Sequence, residues 1–298
     1  EEIQNKLKAQ EIKFSHVAAS YIQDNEASWT SRSRHQWETS LQDYVFPYLD
    51  KKPLDQLQVT DICRVLRPIW TSKTETASRI QQRMARIFSY AITKKVYNQL
   101  NPSEWQNNLE NIFPAATSIK VVTPMRSLGY TSMPKFFAEL NQVKSSASLA
   151  LQFLILTAAR TIEVTHSGWD EFDFTRNLWT VPAQRTKARR EHQVPLSTGS
   201  LDVITKIKKH HNHKFIFAGS NPDKPLSNNV MGKMMRTTFK SYNATPHGFR
   251  SSFRNWAAET NEYDPYAVEF CLAHQIPNRS EAVYLRTSLL DKRQVILQ

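Results

Sequence analysis

Apolar residues recur at i, i+3 and i+4 through four successive stretches early in the chain: FSHVAASYIQDN, SRHQWETSLQDYVFPYL, TDICRVLRPIW and TASRIQQRMARIFSYAITKK. That period turns the apolar side chains of a helix onto one face, so each stretch predicts an amphipathic helix. The connections SWTSRS and DKKPLDQL carry the Ser, Pro and Asp residues that break helices. Residues 1–100 therefore read as an all-α unit. From 101 to 124, NPSEWQNNLENIFPAATSIKVVTP holds three prolines and no sustained period, the pattern of a linker.

Residues 125–298 read differently. The run ASLALQFLILTAA at 147–159 contains a Gln. It falls short of the roughly 20 residues a membrane span needs and predicts a buried helix. In WDEFDFTRNLWTVPAQRTKARREHQVPLS, apolar and aromatic residues alternate over short runs, as in a three-stranded antiparallel sheet. The strongly basic loop QRTKARRE joins its second and third strands. Helices are predicted over LDVITKIKKHH, NNVMGKMMRTTFKSY, the segment opening at HGFR, DPYAVEFCLAH and LLDKRQVILQ. In the last of these, Leu289, Leu290, Val295 and Ile296 form an apolar patch that needs a partner. The expected fold is mixed: an all-α first domain, then an α+β domain with one small three-stranded antiparallel sheet.

Composition sharpens this picture. Only 6 of 298 residues are Gly, which favours a helix-rich fold with few tight turns. Lys and Arg number 39 against 27 Asp and Glu, a net charge of +12, and point to a polyanionic partner. Nucleic acid is favoured over membrane, because no basic amphipathic helix with a long apolar face is evident. The two cysteines, Cys63 and Cys271, offer neither a disulfide framework nor a ligand cluster and fit a core in a reducing compartment. The chain opens without Met on EEIQNKLKAQE and so reads as a trimmed or processed fragment.

The segment TPHGFRSSFRNWAAE, 245–259, carries the first chemistry. Thr245 fits an N-cap and Pro246 the first helical position, which sets His247 and Arg250 on one face of the first turn. A helix start already presents unpaired N–H groups and a partial positive charge, so an added guanidinium and imidazole favour an anion there, phosphate above all. An ordinary surface helix start is the alternative, and convergence of other residues decides between them. His210, His211 and His213 in KKHHNHKF have a spacing that suits a divalent metal. Lysines crowd them and no Cys, Asp or Glu stands beside them, so they read as a helix C-terminal cap and no metal is expected.

Four separated segments then fit one pattern: LTAARTIEV with Arg160 and Glu163, RTKARREHQVPLS with Lys187, HGFR with His247 and Arg250, and LAH with His274, followed ten residues later by Tyr284 in EAVYLRT. Their order and spacing resemble the tyrosine recombinase (phage integrase) family, most of all the integrases of satellite phages and genomic islands. The resemblance implies that 1–100 is a core-DNA-binding domain and 125–298 the catalytic domain. It implies Tyr284 as nucleophile, forming a 3′-phosphotyrosine bond to DNA, with Arg160 and Arg250 clamping the scissile phosphate. Glu163 would orient the clamp, Lys187 protonate the leaving 5′ oxygen, His247 assist proton transfer and His274 hydrogen-bond the phosphate. Arg185, Arg189 and Arg190 around Lys187 are expected to bind the DNA backbone. The implied activity is site-specific integration or excision of a mobile element in the bacterial cytoplasm. The expected partners are double-stranded core attachment sites and DNA-bending accessory proteins. The chain is expected to be a homotetramer on DNA and a monomer without it, with no membrane and neither metal nor nucleotide cofactor. A type IB topoisomerase-like DNA-relaxing enzyme and a catalytically silent DNA-binding protein are the alternatives.

Overall fold

Where the i, i+3, i+4 period runs longest, helices form. In the computed structural model, which describes residues 12–119, 123–207, 214–219, 221, 223–260, 262–276 and 287–298, these are α1 (Phe14–Asn25), α2 (Ser31–Tyr44), α3 (Phe46–Leu49), α4 (Val59–Trp70), α5 (Thr74–Thr93) and α6 (Ala116–Ile119). They belong to the first of two units, Glu1–Thr123 and Pro124–Gln298. The apolar faces meet in a core built on Phe14, Leu41, Ile62, Leu66, Met84 and Phe88. Local chemistry sets the helix starts. Thr30 Oγ1 accepts from Ser33 N–H at 3.1 Å, and Asp61 accepts from Gln58 N–H at 3.1 Å. Asp61 is buried, and Lys52 at 2.9 Å with Arg64 at 3.1 Å balances its charge. Within 101–124, Leu109 and Phe113 are buried in this core, and Trp105 stacks on Trp70 at 5.5 Å. That stretch packs through short turns, which have no period to read.

The second unit comprises α7 (Met133–Gln142), α8 (Ser146–Thr157), α9 (Thr161–Thr165), β1 (Phe172–Asp173), β2 (Leu178–Val181), β3 (His192–Pro195), α10 (Thr198–Ile207), α11 (Val230–Thr237), α12 (Gly248–Thr260), α13 (Pro265–Cys271) and α14 (Leu290–Leu297). The sheet has the order β1-β2-β3, antiparallel throughout, with Phe172 opposite Trp179 and Trp179 opposite Val194. Trp179 is fully buried against Phe153 of α8 and donates its indole N–H to Glu171 at 3.0 Å. The long apolar run is thus a helix at the centre of this core, with Ala150, Leu151, Phe153 and Leu154 all buried. Among the described residues no helix is long and apolar enough to cross a membrane.

One sequence expectation changes here. The apolar patch of the last helix does not stand open: α14 lies along the outer edge of β3, with Ile296 and Leu297 buried in the core of its own unit. Arg293 donates to the carbonyl of Gln193, and Gln294 donates to that of Leu196 at 3.2 Å. Val295 alone of the patch is strongly exposed, at 68%.

Candidate active site

The site grows from the ends of three helices of the second unit. At the end of α8 the chain turns through Ala158 in the left-handed conformation, φ 50°, and reaches Arg160 as the N-cap of α9. Glu163, in the first turn of α9, is fully buried. One of its oxygens accepts from Arg160 N–H at 2.7 Å and the other from Arg160 Nη1 at 2.9 Å. A single carboxylate therefore caps the helix and aims the guanidinium, so the pair is a buried brace and not a surface i,i+3 contact.

The second arginine comes from α12. Thr245 caps it, its hydroxyl accepting from Gly248 N–H at 3.0 Å. The helix begins at Gly248, two residues later than the position of Pro246 predicts, and leaves His247 just outside it. Packing is close at this start. A Cβ on Gly248 would lie 2.0 Å from the carbonyl oxygen of Arg126, whose segment also receives Thr245 N–H at 3.0 Å. Arg250, in its first turn, is 6% exposed. It donates from Nη1 to the carbonyl of Ala158 and from Nη2 to that of Leu272 at 2.6 Å.

The Leu272 carbonyl joins the two arginines, because Arg160 Nη2 reaches it at 3.3 Å. This oxygen belongs to the C-terminal end of α13, where unpaired carbonyls carry partial negative charge. The helix end offsets the repulsion between two guanidinium groups that share a pocket. Burial, with the charge of Arg160, pushes Arg250 down to about 10, which leaves it cationic at neutral pH. Two guanidinium groups held this way can serve as a fork for an anion with two acceptor oxygens.

The remaining expected residues divide. His274 follows α13, with Nε2 3.4 Å from Arg250 Nη2. His247 titrates below the usual histidine range because part of its ring is buried, and because Arg250, Arg160, His274 and Lys187 add positive charge around it. Lys187 is exposed on the hairpin loop, and its charge reaches His247. The loop is tied at its base by the buried Thr186, whose hydroxyl oxygen lies 2.6 Å from the Arg190 carbonyl and accepts from Arg190 N–H at 3.1 Å. Arg189 holds a left-handed backbone, φ 52°, and Arg190 is exposed.

Arg185 differs from the expectation of a DNA-backbone contact. Its guanidinium turns inward to the Glu171 carboxylate and the His166 carbonyl, and its side chain is 15% exposed. An arginine held by a part-buried carboxylate fixes the hairpin to the body of the unit. Tyr284 lies outside the described residues, as do His210, His211 and His213. Among the described residues no three His, Cys, Asp or Glu side chains stand together as metal ligands.

The pocket also holds groups that the motifs do not name. His192 opens β3 opposite Val181, and burial with the charges of Arg293, Arg160 and Arg250 drives it down to about 3, so it is neutral at physiological pH. Its signal was present in the alternation of HQVPLS, which sets His192 on the same strand face as the buried Val194. Glu269, five residues before His274, is the other.

An all-α unit followed by an α+β unit, with Arg160 and Arg250 meeting at the Leu272 carbonyl and His274 beside them, is the arrangement of a tyrosine-type DNA recombinase. Residues 14–108 match the phage integrase central domain and residues 128–288 the phage integrase family, and the chain belongs to that family. It is 28% identical over 290 residues to the prophage integrase IntZ of Escherichia coli K12, covering 96% of this chain and 69% of that protein. It is 26% identical over 297 residues to the integrase of Enterobacteria phage P4, covering 91% of this chain and 64% of that one. Solved structures that share the fold include two integrases bound to DNA. The Tn1549 transposon integrase (aa 82–397) in complex with circular intermediate DNA superposes with a TM-score of 0.70 at 16% identity, covering 96% of this chain and 99% of that one. A lambda integrase dimer bound to a COC′ core site gives 0.71 at 15% identity, covering 97% of this chain and 81% of that one.

Proposed function

We propose that this chain cuts and rejoins DNA at the core sites of a mobile element, with Tyr284 as the attacking group. The observation that carries the reading is the Arg160–Arg250 fork, two guanidinium groups braced by Glu163 and meeting at the Leu272 carbonyl. A phosphodiester entering this fork has its two non-bridging oxygens met by rigid donors, and the extra charge of a pentacoordinate phosphorus is stabilised where it develops. Tyr284 Oη bonds to phosphorus and its proton passes to His247, which is held neutral in the free protein and can accept it. The bond to the 5′ oxygen breaks, and that oxygen takes a proton from Lys187. A 5′ hydroxyl of another strand then reverses the step. An arginine in place of Lys187 would not release its proton usefully, which favours the lysine among its basic neighbours.

The charge balance comes from side chains, so cleavage should proceed in excess chelator and without ATP. Assembly as a tetramer on paired core sites, a monomeric state without DNA, DNA-bending accessory proteins and action in the bacterial cytoplasm complete the proposal. The lambda integrase has been seen as a tetramer bound to a Holliday junction, which supports the assembly. The test is covalent capture on a nicked core-site duplex. The parent chain should form a denaturation-resistant adduct in chelator, and Tyr284→Phe should bind the duplex equally well and form none. An adduct that survives in Tyr284→Phe, or a strict need for Mg²⁺, would overturn the reading.

A further inference from the structure

The turn that ends α13 brings together two side chains five positions apart. Ala273 adopts the left-handed conformation, φ 49°, its N–H donates to Phe270 O at 3.0 Å, and His274 N–H donates to Glu269 O at 3.0 Å. This pair of bonds is the Schellman closure, which usually sets two apolar side chains against each other at the positions occupied by Glu269 and His274. Here a carboxylate meets an imidazole: His274 Nδ1 lies 2.6 Å from Glu269 Oε2. Arg254, on the same helix as Arg250, donates to the other oxygen of Glu269 at 2.6 Å. Burial acts to raise Glu269, but the hydrogen bonds from His274 and Arg254 outweigh it and hold the carboxyl below the usual range.

An ionised carboxylate only accepts, so Nδ1 of His274 carries a proton. An arginine only donates, so Nε2, 3.4 Å from Arg250 Nη2, presents its lone pair to the clamp. A phosphate oxygen also only accepts. A His274 that contacts it must therefore carry protons on both nitrogens, and Glu269 balances the added charge. We propose that Glu269 is a positioning residue for strand cleavage: it fixes the orientation and Nδ1–H form of His274, so that Nε2 faces the scissile phosphate and can meet it as a donor, the second proton coming from solvent. This rests on the recombinase reading. The groups around the pair are Arg250 and Arg254 from α12, Arg160 and His247.

The first measurement needs no DNA. In protein labelled with ¹⁵N-histidine, the ring nitrogens of His274 should report the Nδ1–H form, and Glu269→Ala should lose it while the other histidine signals stay in place. The Nε2–H form in the parent would overturn the proposal. The second is single-turnover adduct formation on the nicked duplex. Glu269→Ala should slow it on the order of ten- to a hundredfold at unchanged DNA affinity, by analogy with other carboxylates that orient a working histidine. Glu269→Gln, which keeps an acceptor without the charge, should recover part of the rate. In a His274→Gln background, Glu269→Ala should cost little more, since it acts through the ring. Fully additive losses, or an unchanged rate in Glu269→Ala, would reduce Glu269 to a helix-end contact. A parent chain that forms no adduct at all strikes the recombinase reading itself, whatever the ring nitrogens report.

Discussion

At the scale of single residues, the chemistry resides in how few alternatives each polar group has. Arg250 supplies separate nitrogens to the carbonyls of Ala158 and Leu272, a geometry a single ammonium cannot reproduce. Arg250→Lys should therefore lower adduct formation on the order of 10²-fold with DNA affinity nearly intact, measured as single-turnover rates. An unchanged rate would show that the fork does not carry the reaction. His192 makes a prediction about stability. Its pKa in the fold is about 3, below an unfolded value near 6.5, so the unfolded chain takes up the proton first as pH falls. Stability from this group is fully present above about pH 6.5 and is lost progressively towards pH 3, with a slope of up to about 1.4 kcal/mol per pH unit. Denaturant titrations between pH 7 and 5, above the range of most carboxylates, should show that slope flattened in His192→Gln. Equal slopes would mean that His192 is solvated.

At the scale of elements, what was legible in the sequence depended on whether a residue acts through its own turn or through a distant one. The helix faces and the three strands were written in periods of 3.6 and 2, and the arginines, histidines and lysine sat in recognisable order. Glu163 was readable because its partner is three residues away on the same turn. Arg185 was not, since its basic neighbours suggest DNA while Glu171, fourteen positions earlier, holds it inward. Glu269 escaped notice because an i,i+5 pair is neighbourly only once the left-handed turn at Ala273 has formed. Gly248 belongs with these. Its role is to let α12 start against the Arg126 carbonyl, and nothing in HGFR announces that contact. Gly248→Ala must push the two backbones apart, with an expected loss of about 1–3 kcal/mol in chemical denaturation and slower cleavage as Arg250 is displaced. Full stability in that variant would mean that the Arg126 segment yields easily.

At the scale of the whole molecule, each of the two units has its own hydrophobic core, and every described site residue lies in the second. The described motif residues outside α9 and α12 hang on turns and on the hairpin, which fits a site whose parts must adjust to a substrate as large as a duplex. A more practical consequence follows from α14 lying along β3. The sheet ends at β3, and a terminal strand offers its unpaired backbone to any other strand that drifts past. In this chain the side chain of Arg293 occupies the carbonyl of Gln193 on β3 and that of Gln294 the carbonyl of Leu196 just beyond it, so that a helix acts as a selvedge on the fabric of the sheet. Removing residues 290–298 should unravel that finish: light scattering of the shortened chain should rise with concentration, and amide exchange should quicken along β3 before the rest of the core loosens.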